Sequence, residues 1–188
     1  VKMADDLILE VNNLCKEYHS HHVIRHLSFE ICRGNRVALF APSGAGKTTL
    51  LRILAGLEPA SGGYFKIHGP EPVVLFQEPR LFPYLTVEEN ILLPYRVHKS
   101  QPSDEIKREY QQWLEVCELT HFTKQYPYQL SGGMKQKTAL IRGLLDHPSF
   151  ILMDEPFQSI GPASKAVIIN HLKMTNPEIT LIFTTHNI

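Results

Sequence analysis

The sequence predicts an α/β fold with a mainly parallel sheet, into which a mostly helical segment is inserted. Three observations support this prediction. Residues 36–40 form an apolar run, which is followed by a loop of small residues and then by a helical pattern over 50–55. Further apolar runs at 73–76 and 150–153 are typical of buried strands. Between residues 78 and 129 no segment has a convincing strand pattern, and apolar residues recur at helical spacing instead.

The N-terminal part of the chain has the pattern of short strands joined by turns. Residues 7–11 are a strand candidate, and we expect Tyr18 to follow in a polar loop. Residues 27–31 alternate apolar and polar side chains, as a half-buried strand should. Another short strand is predicted at 64–68, where Gly69 and a proline end it.

The loop after residues 36–40 has the composition of a phosphate cradle. Small residues allow backbone N–H groups to turn toward phosphate oxygens, and the N-terminus of the next helix adds partial positive charge. Lys47 is expected to reach the β- and γ-phosphates of a nucleotide, and the Thr48 hydroxyl to bind Mg²⁺. Ala41 replaces the first glycine of the usual G-x-x-x-x-G-K-[ST] pattern, which costs little unless that residue needs a positive φ. The predicted nucleotide-binding residues of this loop are Ala41, Pro42, Ser43, Gly44, Ala45, Gly46, Lys47, Thr48 and Thr49.

Two helix starts are predicted within and after the helical segment. Ser103 lies in the first, and the apolar face that follows includes Trp113, which we interpret as a core residue. Ser131 is predicted to cap the second, with Gly132 and Gly133 in its first turn. This glycine pair fits either a flexible cap or the close approach of an anion to the backbone amides.

Polar residues follow several of the predicted strands, at the sheet edge where α/β proteins bind ligands. Gln77 comes just after one strand, Asp154 and Glu155 after another, and His186 after the last, at 180–185. Asp154 and Glu155 point to opposite faces if their strand continues, so they should have different roles. We assign Asp154 to a metal ion and Glu155 to the polarisation of an attacking water. Solvated strand caps are the alternative interpretation.

Composition excludes some classes of protein. The 188 residues carry equal numbers of acidic and basic side chains, so the net charge of zero gives no reason to expect a nucleic-acid partner. No apolar run approaches the roughly 18 residues of a membrane span, so work at a membrane would require docking. The three cysteines form no C-x-x-C pair, which fits a reducing compartment.

Taken in order, these motifs resemble those of the ATP-binding cassette (ABC) ATPase family, from residue 7 to His186. Leu130-Ser131-Gly132-Gly133 is the feature that narrows the resemblance from P-loop NTPases in general to this family. The resemblance implies a P-loop NTPase fold with a mainly parallel sheet, an N-terminal antiparallel β subdomain and a helical insertion. It also implies one domain, in which residues 7–77 and 148–188 form the α/β core and 78–147 the helical subdomain.

The resemblance also implies a role for each matching position. Tyr18 would stack on adenine, and Gln77 would join the shell of Mg²⁺ and water while sensing a transmembrane partner. Asp154 matches the Walker B aspartate, Glu155 the catalytic glutamate and His186 the switch histidine. The signature residues would close on the γ-phosphate bound by an opposite subunit, so two ATP molecules would lie between paired subunits; they are Ser131, Gly132 and Gly133.

A finer resemblance, over residues 76–90, is to the ATPase subunits of bacterial nitrate, sulfonate and taurine importers. In those proteins the segment borders a groove that receives a coupling helix of the membrane subunit, and here Leu81–Leu85 would form its apolar wall. Ordinary core residues are the alternative. The implied partners are a second ATPase subunit, a transmembrane permease docked near Leu81–Asn90 and a substrate-binding protein. The implied location is the cytoplasmic face of the bacterial inner membrane.

The chain departs from the family pattern at Ala41, at Lys137 in place of an arginine, and at Gly161 in place of the D-loop aspartate. It also ends soon after His186, and both a naturally short subunit and a trimmed chain fit that end. These departures motivate an alternative function, a degenerate cassette that binds ATP with little hydrolysis. A soluble cassette protein of DNA repair or translation is a second alternative, which a single short cassette fits poorly.

Overall fold

A computed structural model describes residues 6–185 of the chain. The strands are β1 (Leu7–Tyr18), β2 (His21–Cys32), β3 (Arg36–Phe40), β4 (Gly62–Ile67), β5 (Val73–Leu75), β6 (Phe150–Met153) and β7 (Thr180–Thr185). The α-helices are α1 (Lys47–Leu54), α2 (Val87–Ile91), α3 (Leu93–Val97), α4 (Asp104–Val116), α5 (Gly132–Leu144) and α6 (Pro162–Thr175), with 3₁₀ turns at Thr120–Phe122 and Pro127–Gln129.

The chain divides into two units. The first contains the described residues up to Val74, together with Ser149–Glu155 and the described residues from Glu178 onward. The second contains Leu75–Pro148 and Pro156–Pro177. The single domain expected from the resemblance, with its own core and helical boundaries, stays a prediction.

The first unit contains two sheets of different kinds. β2, β1 and β4 form an antiparallel sheet in that order, and β3, β7, β6 and β5 form the second sheet. In the second sheet, β7 pairs in parallel with both β3 and β6. The core of this unit combines β1 residues such as Leu9 and Leu14 with Ile53 of α1 and with Phe150 and Ile182 of the parallel sheet. The predicted fold class is therefore confirmed.

The parallel register determines where the strand ends lie. Ala38 and Met153 both pair with Phe183 of β7, so β3 and β6 are level across the central strand. Phe40, the last residue of β3, pairs with Thr185, the last residue of β7. The loop after β3 and the residues after β6 therefore leave the sheet at the same edge.

The second unit is helical, as predicted, and its longer helices begin at the expected caps. The Ser103 hydroxyl accepts a hydrogen bond from the Ile106 amide at 3.2 Å, and the Ser131 hydroxyl accepts one from Met134 at 3.2 Å. Trp113 is buried, which confirms its interpretation as a core residue. Within the part of the chain that the structure describes, no helix is long and apolar enough to cross a membrane.

The first two strands are longer than predicted, and the prediction that Tyr18 lies in a polar loop is wrong. Tyr18 is the last residue of β1 and pairs with His21 across a tight turn. The pairing of β1 with β2 is interrupted by several register irregularities, and Asn13 and His26 have positive φ. Because each irregularity shifts the alternation of side chains between faces, the strand period is hidden in the sequence.

His171 should make the free energy of unfolding depend on pH. Its ring is buried at the edge of Trp113, 4.4 Å between centroids, and burial lowers its pKa below the usual 6.5 although Glu109 opposes the shift. The folded state therefore favours the neutral ring, and this contribution is complete above pH 6.5 and lost as the pH falls toward the lower folded pKa. Urea unfolding of wild type between pH 5 and 8 should show this slope, and His171→Leu should flatten it.

His98→Gln is the matched control, because His98 is an exposed histidine of the same unit. If His171→Leu leaves the pH dependence of the free energy of unfolding unchanged, His171 is not its source. The same conclusion would follow if His98→Gln flattened that dependence equally.

Candidate nucleotide-binding site

The loop between β3 and α1 needs glycine at Gly46. Gly46 is the N-cap of α1, with φ of 88°, and Gly44 has φ of 80°. A Cβ on Gly46 would lie 2.7 Å from Val23 Cγ1 and 3.1 Å from the Val23 carbonyl oxygen. No side chain caps α1, so the amides of its first turn are available to an anion.

Lys47 lies across the same loop. Its ammonium donates to the carbonyl oxygen of Ala41 at 2.5 Å and to that of Pro42 at 3.0 Å. Ala41 is not among the residues with positive φ, so the alanine in place of the first glycine is unstrained. The doubt that Ala41 raised about this loop therefore has no support in its backbone.

Tyr18 has partners of its own at the end of β1. Its hydroxyl donates to the Glu58 carboxylate, and the Lys16 ammonium lies 4.8 Å from the centre of its ring. Tyr18 is not among the residues lining the pocket of about 440 Å³ beside Ala45–Lys47. Stacking of Tyr18 on adenine stays a prediction.

Asp154 and Glu155 follow β6 at the edge reached by the phosphate loop, and a threonine of the next strand holds them. Asp154 is 6% exposed, and its Oδ1 accepts a hydrogen bond from the Thr184 hydroxyl at 2.6 Å. The Glu155 amide donates to the same hydroxyl oxygen at 2.9 Å. Two acidic residues and one threonine thus form a fixed group at the sheet edge.

The strand does not continue through these carboxylates, so the premise that placed them on opposite faces is not met. β6 ends at Met153, and Glu155 has φ of 47°. A left-handed conformation costs a non-glycine residue about 1–2 kcal/mol. The hydrogen bond from the Glu155 amide to Thr184 helps to offset that cost.

The other predicted site residues lie in the second unit or outside the described part. The Gln77 amide nitrogen donates to the side-chain oxygen of Gln158 at 3.1 Å, and both residues are exposed. Ser131, Gly132 and Gly133 form the N-cap and first turn of α5, as predicted. His186 lies outside residues 6–185.

The signature glycines meet a neighbouring loop. A Cβ on Gly133 would lie 2.6 Å from the carbonyl oxygen of Ser159, whereas the nearest atom to one on Gly132 would be 3.8 Å away. The sequence suggested a flexible cap or an anion site for this glycine pair, and neither interpretation included this packing. Gly133 is required by its own chain, and Gly132 is sterically free within it.

The other departures from the family pattern, Gly161 and Lys137, have different surroundings. A Cβ on Gly161 would meet nothing within 4 Å, so no close contact requires glycine there. Lys137 is buried, and its ammonium lies 2.8 Å from the Glu118 carboxylate and 3.4 Å from the Ser164 hydroxyl. Lysine thus keeps a positive charge and two partners at this position.

Sequence reasoning missed Thr184 and Gln158. Thr184 was counted only as one β-branched residue of the last strand, although a buried threonine beside the acidic strand end was an available signal. Gln158 could be connected to Gln77 only through tertiary structure.

Comparisons with known proteins agree with this geometry. Residues 24–158 match the protein family described as ABC transporter. The sulfate/thiosulfate import ATP-binding protein of Photorhabdus laumondii is 36% identical over 196 residues, which is 95% of this chain and 54% of that protein. The aliphatic sulfonates import ATP-binding protein of Bacillus cereus is 36% identical over 184 residues, 92% of this chain and 71% of that protein.

Solved structures give the same result. A dimeric ATP-binding cassette in a post-hydrolysis state with ADP and Pi is similar with a TM-score of 0.82 and 27% identity, over 96% of this chain and 88% of that one. The chain spans about half the length of the first curated relatives that it matches, 54% and 53%.

Gly133→Ala and Gly132→Ala are a matched test of the packing at the signature. Gly133→Ala should lower the free energy of unfolding by about 1–3 kcal/mol, because its Cβ must displace the Ser159 backbone. Gly132→Ala should leave it unchanged or raise it by up to about 1 kcal/mol, since alanine favours helix and has room. Urea unfolding measures both, and equal effects of the two substitutions would contradict the close approach.

Proposed function

The chain belongs to the ATP-binding family of ABC transporters, and on that premise we propose that it hydrolyses ATP to drive solute transport through a separate membrane subunit. The observation that carries the proposal is the sheet edge, where the loop after β3 and the two acidic residues after β6 leave the parallel strands on either side of β7. Relatives named as import ATP-binding proteins favour import. Because their names cover sulfate, sulfonates and polyamines, the proposal goes no further than solute import.

The residues present fit a nucleotide with Mg²⁺. The first-turn amides of α1 have no side-chain cap, and the Lys47 ammonium lies over the same loop, so both are placed to bind phosphate oxygens. Mg²⁺ in phosphate sites takes oxygen ligands, usually one or two from the protein and the rest from phosphates and water. The Thr48 hydroxyl and the Asp154 carboxylate are donors of that kind. When bound, Mg²⁺ would supply positive charge against the charge that develops on the transferred phosphoryl group.

Each residue then has a definite task. The Lys47 ammonium exchanges the carbonyl oxygens of Ala41 and Pro42 for phosphate oxygens. Glu155 accepts a hydrogen bond from the attacking water and orients it. Gln77 contributes to the shell of water around the metal, and His186 holds the γ-phosphate, as the resemblance implies.

A second ATPase subunit completes the site in this proposal. Ser131 and the amides of Gly132 and Gly133 form a helix start that suits the γ-phosphate held by the opposite subunit. The dimeric state of the similar cassette supports this arrangement. ATP binding would close the pair, hydrolysis would open it, and the membrane subunit would follow that movement.

The proposed permease site is the segment Leu81–Asn90, which presents aromatic side chains outward. Phe82 is 53% exposed and Tyr84 90% exposed, so the alternative interpretation as core residues is wrong for these two. We propose that they bind the membrane subunit at the cytoplasmic face of the membrane. A pocket of about 890 Å³ lies beside the end of this segment, and its lining combines charged side chains such as Glu88 and Arg96 with Leu92 and Tyr95.

Asn90 fixes the shape of that segment. Its side chain is fully buried, and its Nδ2 lies 2.9–3.1 Å from the carbonyl oxygens of Phe82, Leu85 and Thr86. Its Oδ1 accepts a hydrogen bond from the Phe82 amide at 2.8 Å. The aromatic surface is therefore preformed, which lowers the entropic cost of binding a partner.

The degenerate cassette is not favoured. Its motives were the alanine at 41, the glycine at 161 in place of the aspartate, and the end of the chain soon after His186. Of these, Ala41 has no positive φ, so it does not strain the loop. The phosphate loop keeps its lysine, and the acidic pair keeps a buried, hydrogen-bonded aspartate.

Glu155→Gln tests the hydrolytic role. Removing the group that orients water should lower kcat about 10²- to 10⁴-fold, while ATP affinity changes little and ATP traps the closed dimer. Phosphate release measures turnover, and sedimentation velocity measures the dimer. Glu178→Gln, an exposed carboxylate before β7, is the control and should behave as wild type. Normal turnover in Glu155→Gln would defeat the assignment.

Tyr84→Ala tests the docking segment. If Tyr84 is a buried anchor in the complex, its loss should weaken permease binding by about 2 kcal/mol, roughly 30-fold. The tagged chain is purified from gently solubilised membranes, and the membrane protein recovered with it is quantified by mass spectrometry. Met174→Ala removes another exposed apolar side chain of the same unit and should retain full recovery. Equal recovery with all three proteins would show that the permease binds elsewhere.

A further inference from the structure

We infer that Thr184 is a positioning residue that fixes both acidic residues of the site, the Asp154 carboxylate and the turn at Glu155. The inference rests on the proposed function, because it concerns the metal and water that those carboxylates would handle. Its basis is the geometry of this chain alone.

The Thr184 hydroxyl is buried and makes two hydrogen bonds, one as donor and one as acceptor. It donates to Asp154 Oδ1 at 2.6 Å and accepts from the Glu155 amide at 2.9 Å. Thr184 is 1% exposed and Asp154 6%. Removal of this hydroxyl would leave the buried Asp154 carboxylate without its donor and the half-buried Glu155 amide without its acceptor.

The Thr184 hydroxyl lies just beyond the last paired residues of β6 and β7. The pairing of β6 with β7 ends at Met153 and Phe183, so the ladder between these two strands does not reach Asp154 and Glu155. Thr184 is the next residue of β7, and on its other side it pairs with Leu39 near the end of β3. One side chain thus continues the connection between the strands at the level where the phosphate loop begins.

This connection has a consequence for each carboxylate. The hydrogen bond to Oδ1 holds the Asp154 carboxylate in one orientation, and its other acceptor positions stay available to the metal or its water. The bond to the Glu155 amide stabilises a backbone conformation that glutamate rarely adopts, φ of 47°. Loss of the hydroxyl should therefore loosen metal binding and water orientation together, while the phosphate loop keeps its nucleotide contacts.

Thr184→Val is the direct test, because valine keeps the shape and the β-branched side chain but lacks the hydroxyl. Thr184→Ser restores a hydroxyl and is the rescue variant. Thr180→Val is the matched control at the other end of β7, where a buried threonine hydroxyl accepts a hydrogen bond from the Gly34 amide at 2.9 Å. Urea unfolding shows which variants are folded at the assay temperature.

The first readout is Mn²⁺ binding to the purified chain with ADP, followed by the electron paramagnetic resonance signal of free Mn²⁺. Loss of a residue that orients a metal ligand typically costs 10- to 100-fold in metal affinity or activity. We expect Thr184→Val to bind Mn²⁺ about tenfold more weakly and ADP without metal within twofold of wild type. We expect kcat of ATP hydrolysis to fall about 10- to 100-fold with little change in KM, and Thr184→Ser to recover most of both.

Two results would overturn the inference. One is wild-type Mn²⁺ affinity and kcat in Thr184→Val. The other is an equal loss in Thr180→Val, which would assign the effect to general destabilisation. The wild-type protein separates failure of this inference from failure of the proposed function. If wild type neither binds Mn²⁺ with ADP nor hydrolyses ATP, the proposed function itself fails. If wild type does both and Thr184→Val matches it, only the inference about Thr184 fails.

Discussion

The parallel pairing of β7 with β3 on one side and with β6 on the other is the constraint on which the site depends. Because Ala38 and Met153 both pair with Phe183, the phosphate loop and the acidic residues leave the sheet at one level. The sequence does not show that the loop and the acidic residues are close, because more than 100 residues separate Lys47 from Asp154. The register converts two distant motifs into one candidate site, and the Thr184 hydroxyl extends that connection beyond the ladder.

The close approach of a neighbouring residue, rather than a need for flexibility, explains why glycine is required at two positions of the site. Gly46 is needed because Val23 lies against it, and Gly133 because the Ser159 carbonyl does. Gly132 and Gly161 have room for a side chain. Neighbouring glycines of one motif are therefore not equivalent, because the packing of its own chain requires Gly133 and does not require Gly132.

The features that were predictable from the sequence depend on local chemistry. The phosphate loop, the caps at Ser103 and Ser131 and the buried strand before Asp154 each follow from a few adjacent residues. The features that were missed depend on contacts between distant segments. The full lengths of β1 and β2 were hidden by irregular pairing, and the left-handed turn at Glu155 and its bond to Thr184 required the strand register.

The most direct test of the central claim is a titration of the isotopically labelled chain with Mg·ADP, followed by the NMR signals of its backbone amides. The account predicts that the amides of Gly44–Thr48 and those of Asp154, Glu155 and Thr184 shift together, with a single apparent Kd. Shifts confined to the loop, with the strand-end amides unmoved at saturation, would contradict the conclusion that the sheet edge forms one site.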